Sequence, residues 1–367
     1  MRRQWSVPAL GLAAALLFGY VATHRDPVQR PDPPAAAPSP RPGLPRLTGT
    51  EALGPPGLKV LVSGRYPQII DTSIRHSGPV PGLQLGPGER AALQAVPAGT
   101  VAAITGPGTS RIRTVLLRPV SGPPVPLGFD ATVVPALHGT DLYVATRNAG
   151  STSVAVTAAD GKVRRRWTAG GTLTPLRDTT AGLVAGQVGD LQGAQLRLLD
   201  PATGAERRRL ATGRIQVAVG PASVAHVSGS CLRDCPVTVT RLADGRSRDY
   251  PLPAGTGIPA RGAFSPDGRW LALGVPGQYR NGRLVIVPGF AEVLDLATGT
   301  VTRVPGVETE AERSADLSWF GPTLVLGVWS ATRGQVGAWT PGRPADGLRI
   351  LPAEPPGDEA LSSVTVL

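Results

Sequence analysis

Lysine, asparagine, histidine, methionine and cysteine are all scarce in this 367-residue chain. There are two lysines (Lys59 and Lys162), two asparagines (Asn148 and Asn281), four histidines, one methionine and two cysteines. Two cysteines exclude a disulfide-rich scaffold. Aromatic residues reach only 4%, too few for the interleaved aromatic and basic stripe of a single-strand nucleic-acid binder. Catalytic signatures are missing as well: the chain has no G-x-S-x-G elbow, H-E-x-x-H pair, P-loop or G-x-G-x-x-G turn. No cofactor motif is present, so no catalytic, cofactor-binding or metal residues are assigned. Long helical periods are absent, in keeping with 47 glycines and 39 prolines, both poor in helix interiors.

What is abundant is arginine, which supplies 35 of the 37 basic residues and a net charge of +11. Such a charge invites phosphate binding. Without a helix-turn-helix pattern or zinc finger, it reads instead as a solvated basic surface, with anionic lipid or wall polymer as the functional alternative. Nucleic acid is not expected as a partner. Apolar residues make up 41% of the chain, enough for a sizeable core.

The first four residues include Arg2 and Arg3, and an uncharged run follows from Trp5 to Ala22. Eighteen residues of helix rise about 27 Å, just enough to cross a bilayer core. Arginines at its head place the N-terminus in the cytoplasm and everything after Thr23 outside. Segment 5–22 is therefore expected to be a transmembrane helix anchoring the chain in the cell membrane. The alternative is a cleaved signal and secretion, although Tyr20-Val21-Ala22 matches a small-residue cleavage site poorly. Residues 23–56 contain ten prolines and read as an extended spacer.

From residue 57 to 367 the chain is a series of short apolar runs broken by Gly, Pro and Asp-Gly, the pattern of many short strands. One motif recurs: an alternating strand, a tight turn with glycine, then another strand. The turn glycines are Gly78, Gly122, Gly161, Gly204, Gly245, Gly299 and Gly347, spaced 39 to 54 residues apart. Seven such hairpins at that period fit seven blades of four antiparallel strands, an all-β propeller; six or eight blades are the neighbouring alternatives. In the unit holding Gly245 the expected strands are 215–219, 223–227, 236–242 and 246–252. The first unit offers three strands, 59–62, 69–75 and 80–85. The last eight residues, ALSSVTVL, form one strand without a blade. Joining it to the first unit closes the ring and removes an open edge.

Phe264-Ser265-Pro266-Asp267-Gly268-Arg269-Trp270-Leu271-Ala272 resembles the FSPDG-x-W segment of TolB-type and WD40-like propellers. Asp200-Pro201-Ala202-Thr203-Gly204 and Asp295-Leu296-Ala297-Thr298-Gly299 resemble turns of quinoprotein-like bacterial propellers. The alphabet rich in Ala, Gly, Pro and Arg is similar to that of actinobacterial chains. The resemblance spans the chain from about residue 57 and implies a fold. It does not imply an activity, because propellers host many.

Candidate site residues follow from position. Cys231 and Cys235, with three residues between them and outside the reducing cytoplasm, are expected to form a loop-pinning disulfide. A metal site with Asp234 and His226 is the alternative. His24 flanks the membrane run; His76, His138 and His226 occupy non-equivalent positions in their units and read as surface or packed side chains, with His226 the one axial candidate. Arg164–Arg166 and Arg207–Arg209 fall on outermost strands, where charge keeps edges from pairing. Glu308, Glu310, Glu312 and Asp316 read as a solvated loop between blades. The unit ending at Gly299 is the longest, and its extra residues 276–289 make Tyr279, Arg280 and Asn281 the best candidates for ligand contact.

The sequence thus reads as an extracytoplasmic, membrane-anchored propeller, monomeric, binding a protein partner at the membrane or cell envelope, or a ligand. The competing readings are an enzyme of lactonase, cyclase or lyase type with an axial site, and a sensor paired with a separate membrane signalling protein.

Overall fold

Among the described residues, every element of the computed structural model is a strand or a turn. It describes residues 46–119, 122–187, 194–231, 234–280, 285–310, 312–329, 334–343, 347–352 and 363–367. The expected transmembrane segment 5–22, most of the 23–56 spacer and Asn281 lie outside the described residues.

Seven sheets of four or five strands make up seven blades. Blade 1 takes Val364–Val366 as its innermost strand, followed by Lys59–Val62, Gln68–Asp71 and His76–Pro79. The C-terminal strand therefore closes the ring, with Val60 opposite Val366 and Val62 opposite Val364. Blade 2 runs outward through Arg90–Val96, Gly99–Thr105, Ile112–Leu117 and Val125–Phe129. Blades 3 and 4 repeat this order over 132–170 and 173–212. Blade 5 consists of Arg214–Val219, Ser223–Ser228, Val237–Arg241 and Ser247–Tyr250, within two residues of the expected strands. The arginine triplets lie on the outermost strands Val163–Gly170 and Glu206–Thr212.

Alternation along each strand sends side chains to the two neighbouring blades. Leu271 and Leu273 pack towards blade 5 with Val237 and Tyr250. Ala272, between them, packs towards blade 7 with Leu324 and Leu326. Each inter-blade interface is thus a thin apolar layer.

The turns show why the motifs recur. In Asp200-x-x-Thr203-Gly204 the Asp200 carboxylate accepts the N–H groups of Ala202 and Thr203 at 2.8 and 2.9 Å. Gly204, at a positive φ of 74°, donates back to the Asp200 carbonyl. In the FSPDG segment, Ser265 Oγ donates to Asp267 and accepts the Trp270 N–H at 2.9 Å.

Blade 1 departs from expectation. Its third-to-fourth strand turn is not at Gly78, which lies within the strand His76–Pro79, and 80–85 is not a strand. Asp71 caps the turn by accepting from the backbone and hydroxyl of Ser73, and Arg75 adopts φ 55° where other blades use glycine. The glycine cue therefore points several residues too far along the chain.

A second departure is at the spacer's end. Arg46–Leu47 pairs with Val307–Glu308, and Thr50–Glu51 adds a parallel fifth strand to blade 7 beside Arg349–Ile350. This clasp lies against the chain so closely that a Cβ at Gly306 would overlap the Thr48 carbonyl oxygen. Segment 46–51 is part of the propeller body.

Candidate functional site

Two places concentrate buried charge. The first is an axial cavity of about 250 Å³ bordered by the innermost strands of blades 1, 2, 3, 6 and 7. Its charged residues are Arg261, on the first strand of blade 6, and Asp316, which opens the first strand of blade 7. Asp316 is 6% exposed. One of its oxygens accepts from Arg261 Nη1. The other accepts from Trp329 Nε1 at 2.6 Å and from the Val364 N–H at 3.1 Å. Burial pushes its pKa above the ordinary carboxylate range, against the opposing pull of Arg261, Trp329 and Val364. The carboxylate ties blade 6, blade 7 and the closing strand of blade 1 together. Asp316 is thus not part of a solvated acidic loop, because Arg261, Trp329 and the Val364 N–H converge on its buried carboxylate.

The second place is a crevice of about 600 Å³ between blades 5 and 6. In an up-and-down blade, the second-to-third strand connection and the connection to the next blade emerge on the same face. On this face lie the disulfide loop of blade 5, the 253–256 connection, the long insertion of blade 6 and Glu308. The insertion is a hairpin, Gln278–Arg280 paired with Val285–Val287. Its base is pinned by backbone bonds between Gly289 and Thr309 and from Glu312 to Gly277. Tyr279 and Arg280 stand on the first hairpin strand, opposite Ile286 and Val285.

Cys231 and Cys235 are joined by a disulfide. Between them and the crevice stands Asp234, at φ 50°, whose carboxylate accepts the Gly255 N–H at 2.8 Å. The bridge thereby holds Pro253–Thr256, which forms one crevice wall. Phe290 and Glu292 of blade 6, with Val301 and Arg303 on the neighbouring strand, form the other.

Glu292 is 4% exposed, and its Oε2 has no hydrogen-bond partner among the described residues. Burial pushes its carboxyl upward from the usual value, with Arg303 pulling against the shift. Arg303 sits directly opposite in the ladder, yet no ion pair joins the two among the described residues. Its guanidinium stacks on Phe290 at 4.1 Å instead. Glu308, at the rim, is bound by Arg46 at 2.8 Å.

The histidines are dispersed. His76 begins the outer strand of blade 1, and His138 lies in an exposed turn of blade 3. His226, on the second strand of blade 5, is outside the axial cavity lining and contacts Thr240 Oγ1 at 3.0 Å. Burial, with help from Arg214, lowers its pKa to about 4. Among the described residues no three His, Cys, Asp or Glu side chains form a group able to hold a metal ion.

Sequence reading points to the disulfide and the long insertion on this face but misses Glu292 and Arg303. Glu292 reads as an outward polar residue in FAEVLD; an acid flanked by apolar residues in a middle strand is the one local signal for it.

No protein-family model matches the chain, and no curated protein matches it. Its fold is similar to solved propellers. Hydrazine synthase of Kuenenia stuttgartiensis matches at 16% identity and TM-score 0.52, over 76% of this chain and 90% of that one. A candidate 6-phosphogluconolactonase of Bacteroides uniformis matches at 12% identity and TM-score 0.50, over 84% and 99%. TolB of Acinetobacter baumannii matches at 14% identity and TM-score 0.47, the match covering 84% of this chain and 66% of TolB's length. At these identities the likeness is one of fold.

Proposed function

We propose that the chain is an extracytoplasmic binding module, a propeller tethered to the cell membrane by segment 5–22 and raised on the proline-rich spacer. It engages its protein partner or ligand through the face that carries the blade 5–6 crevice. One observation carries the reading: a disulfide-held connection and an inserted hairpin, features the other blades lack among the described residues, flank the same crevice. Rigid scaffolds place recognition on such elaborated connections. In the axial cavity, by contrast, Asp316 is committed to holding blades together, which disfavours a lactonase-like axial acid.

The test is in-cell crosslinking of the full-length chain followed by peptide mapping. The expected result is a reproducible partner whose crosslinks fall on 231–256 and 276–313 and disappear when that face is blocked by a bulky substitution at the exposed Ala254, such as Ala254→Trp. Crosslinks confined to the opposite face would overturn the reading, and none despite good recovery of the chain would overturn its protein-partner form.

A further inference from the structure

The crevice holds an acid and a base on adjacent strands with no hydrogen bond or ion pair joining them among the described residues. Glu292 is buried, with an oxygen lacking any partner among the described residues. A buried acceptor left in that condition is destabilising until a donor reaches it. Arg303 lies opposite it, towards the exposed rim, with its flat face on Phe290. Stacking uses a guanidinium's face and leaves its N–H edge available to a carboxylate. Between and around the charges the wall is apolar, with Pro253, Val287, Pro288 and Val301. The third charge of the crevice, Glu308, already faces Arg46.

A ligand that is only cationic would satisfy Glu292 but meet Arg303. One that is only anionic would pair with Arg303 and leave Glu292 unmatched. Both are answered by a molecule with an ammonium and a carboxylate a few ångströms apart and an apolar substituent. We propose that the crevice binds a small zwitterion, a free α-amino acid or dipeptide with an apolar side chain, its ammonium inward on Glu292 and its carboxylate outward on Arg303. A crevice of about 600 Å³ is within the range of small-ligand sites, roughly 300–1,000 Å³. The proposal rests on the binding-module reading and names the ligand class of the same face.

The probes are leucine, leucyl-leucine, leucinamide (ammonium alone) and 4-methylpentanoate (carboxylate alone), titrated calorimetrically into the full-length protein in detergent. Leucine or leucyl-leucine is expected to bind about 10- to 100-fold more tightly than either half-charged analogue. In Glu292→Gln the advantage over 4-methylpentanoate should vanish, and in Arg303→Met the advantage over leucinamide. No saturable binding of either zwitterion at millimolar concentration would overturn the proposal, as would a half-charged analogue binding equally well. Because the analogues are compared on the unaltered protein, a variant that fails to fold does not decide the matter. Crosslinks on this face without zwitterion binding would remove the ligand and keep the module; zwitterion binding without crosslinks would keep the module as a ligand-binding one and remove only its protein partner.

Discussion

The axial cavity and the blade 5–6 crevice each set a buried carboxylate beside a guanidinium on a neighbouring strand, in opposite conditions. At the axis, Asp316 meets Arg261, Trp329 and the Val364 N–H from three blades. In the crevice, Glu292 and Arg303 face each other across a single ladder and stay apart. A buried charge surrounded by donors from several elements is a fastening. A buried acid with one oxygen that no donor reaches among the described residues, beside a base stacked on a ring, is a fastening left incomplete. Burial alone therefore does not mark function in this fold; what separates the two regions is whether the protein itself completes the hydrogen bonding.

The largest expected effect breaks the fastening. Asp316→Ala would leave Arg261 without its counter-charge and the Trp329 and Val364 donors without an acceptor. Removing one partner of a buried pair costs about 3–5 kcal/mol, readable as a shifted denaturation midpoint. The double variant Arg261→Met, Asp316→Leu should recover only the part due to the unpaired Arg261 charge, since the Trp329 and Val364 donors still lack an acceptor. A single variant that loses nothing would mean that the ring closes through its strand ladder alone.

Buried titrating groups sharpen the comparison next, because they respond to pH with opposite sign. His226, held down to about 4 by burial, stays neutral in the folded protein over the range where the unfolded chain takes up a proton. Its folded-state pKa is below its unfolded value near 6.5, so stability falls as pH drops from about 6.5 to 4. The loss amounts to roughly 3 kcal/mol. His226→Gln should flatten that part of a plot of melting temperature against pH. An unchanged slope would assign the acid sensitivity to other groups.

A smaller effect is expected at the crevice wall. Opening Cys231–Cys235 with a double alanine substitution releases a very short loop, for which chain entropy gives about 2 kcal/mol. The Asp234–Gly255 bond holding Pro253–Thr256 would loosen with it. Amide exchange should quicken at 253–257, while exchange around Asp316 and Val364 stays slow. Equal acceleration in both places would mean that the two regions unfold as one unit.

The two regions also differ in how far the sequence announces them. Turns such as Asp200–Gly204 and the FSPDG segment are legible because a side chain bonds to backbone two or three residues away, so spacing alone encodes them. The closing strand 364–366 is legible from its alternation and its lack of a blade. Asp316 is not: it reads as one acid in an acidic stretch, and its burial depends on blade 6 and the far end of the chain arriving beside it. Arg75 misleads for a local reason, since a non-glycine residue takes the positive φ and hides the first turn. Glu292 lies between these cases. Its strand is obvious, but the crevice is made by a connection from the preceding blade, about which alternation along one strand carries no information.

Glu292→Gln gives the smallest expected change in stability and the clearest contrast with Asp316. Its folded-state pKa is raised by burial, so the folded protein holds this proton more tightly than the unfolded chain. Stability contributed by the protonated group is fully present below the unfolded value of 4.5 and falls as pH rises through that value towards the raised one. At neutral pH the substitution removes a buried charge that has only the pull of Arg303 to offset its burial. It should therefore raise stability by on the order of 1 kcal/mol, with the gain shrinking to nothing in acid. The same conservative change at Asp316 should lower stability, because a carboxamide presents one acceptor oxygen where three donors converge. Denaturant titrations of both variants at acidic and neutral pH make the comparison directly. A loss at position 292 as large as that at 316 would mean that Glu292 is fastened too, and the crevice would then be as structural as the axis.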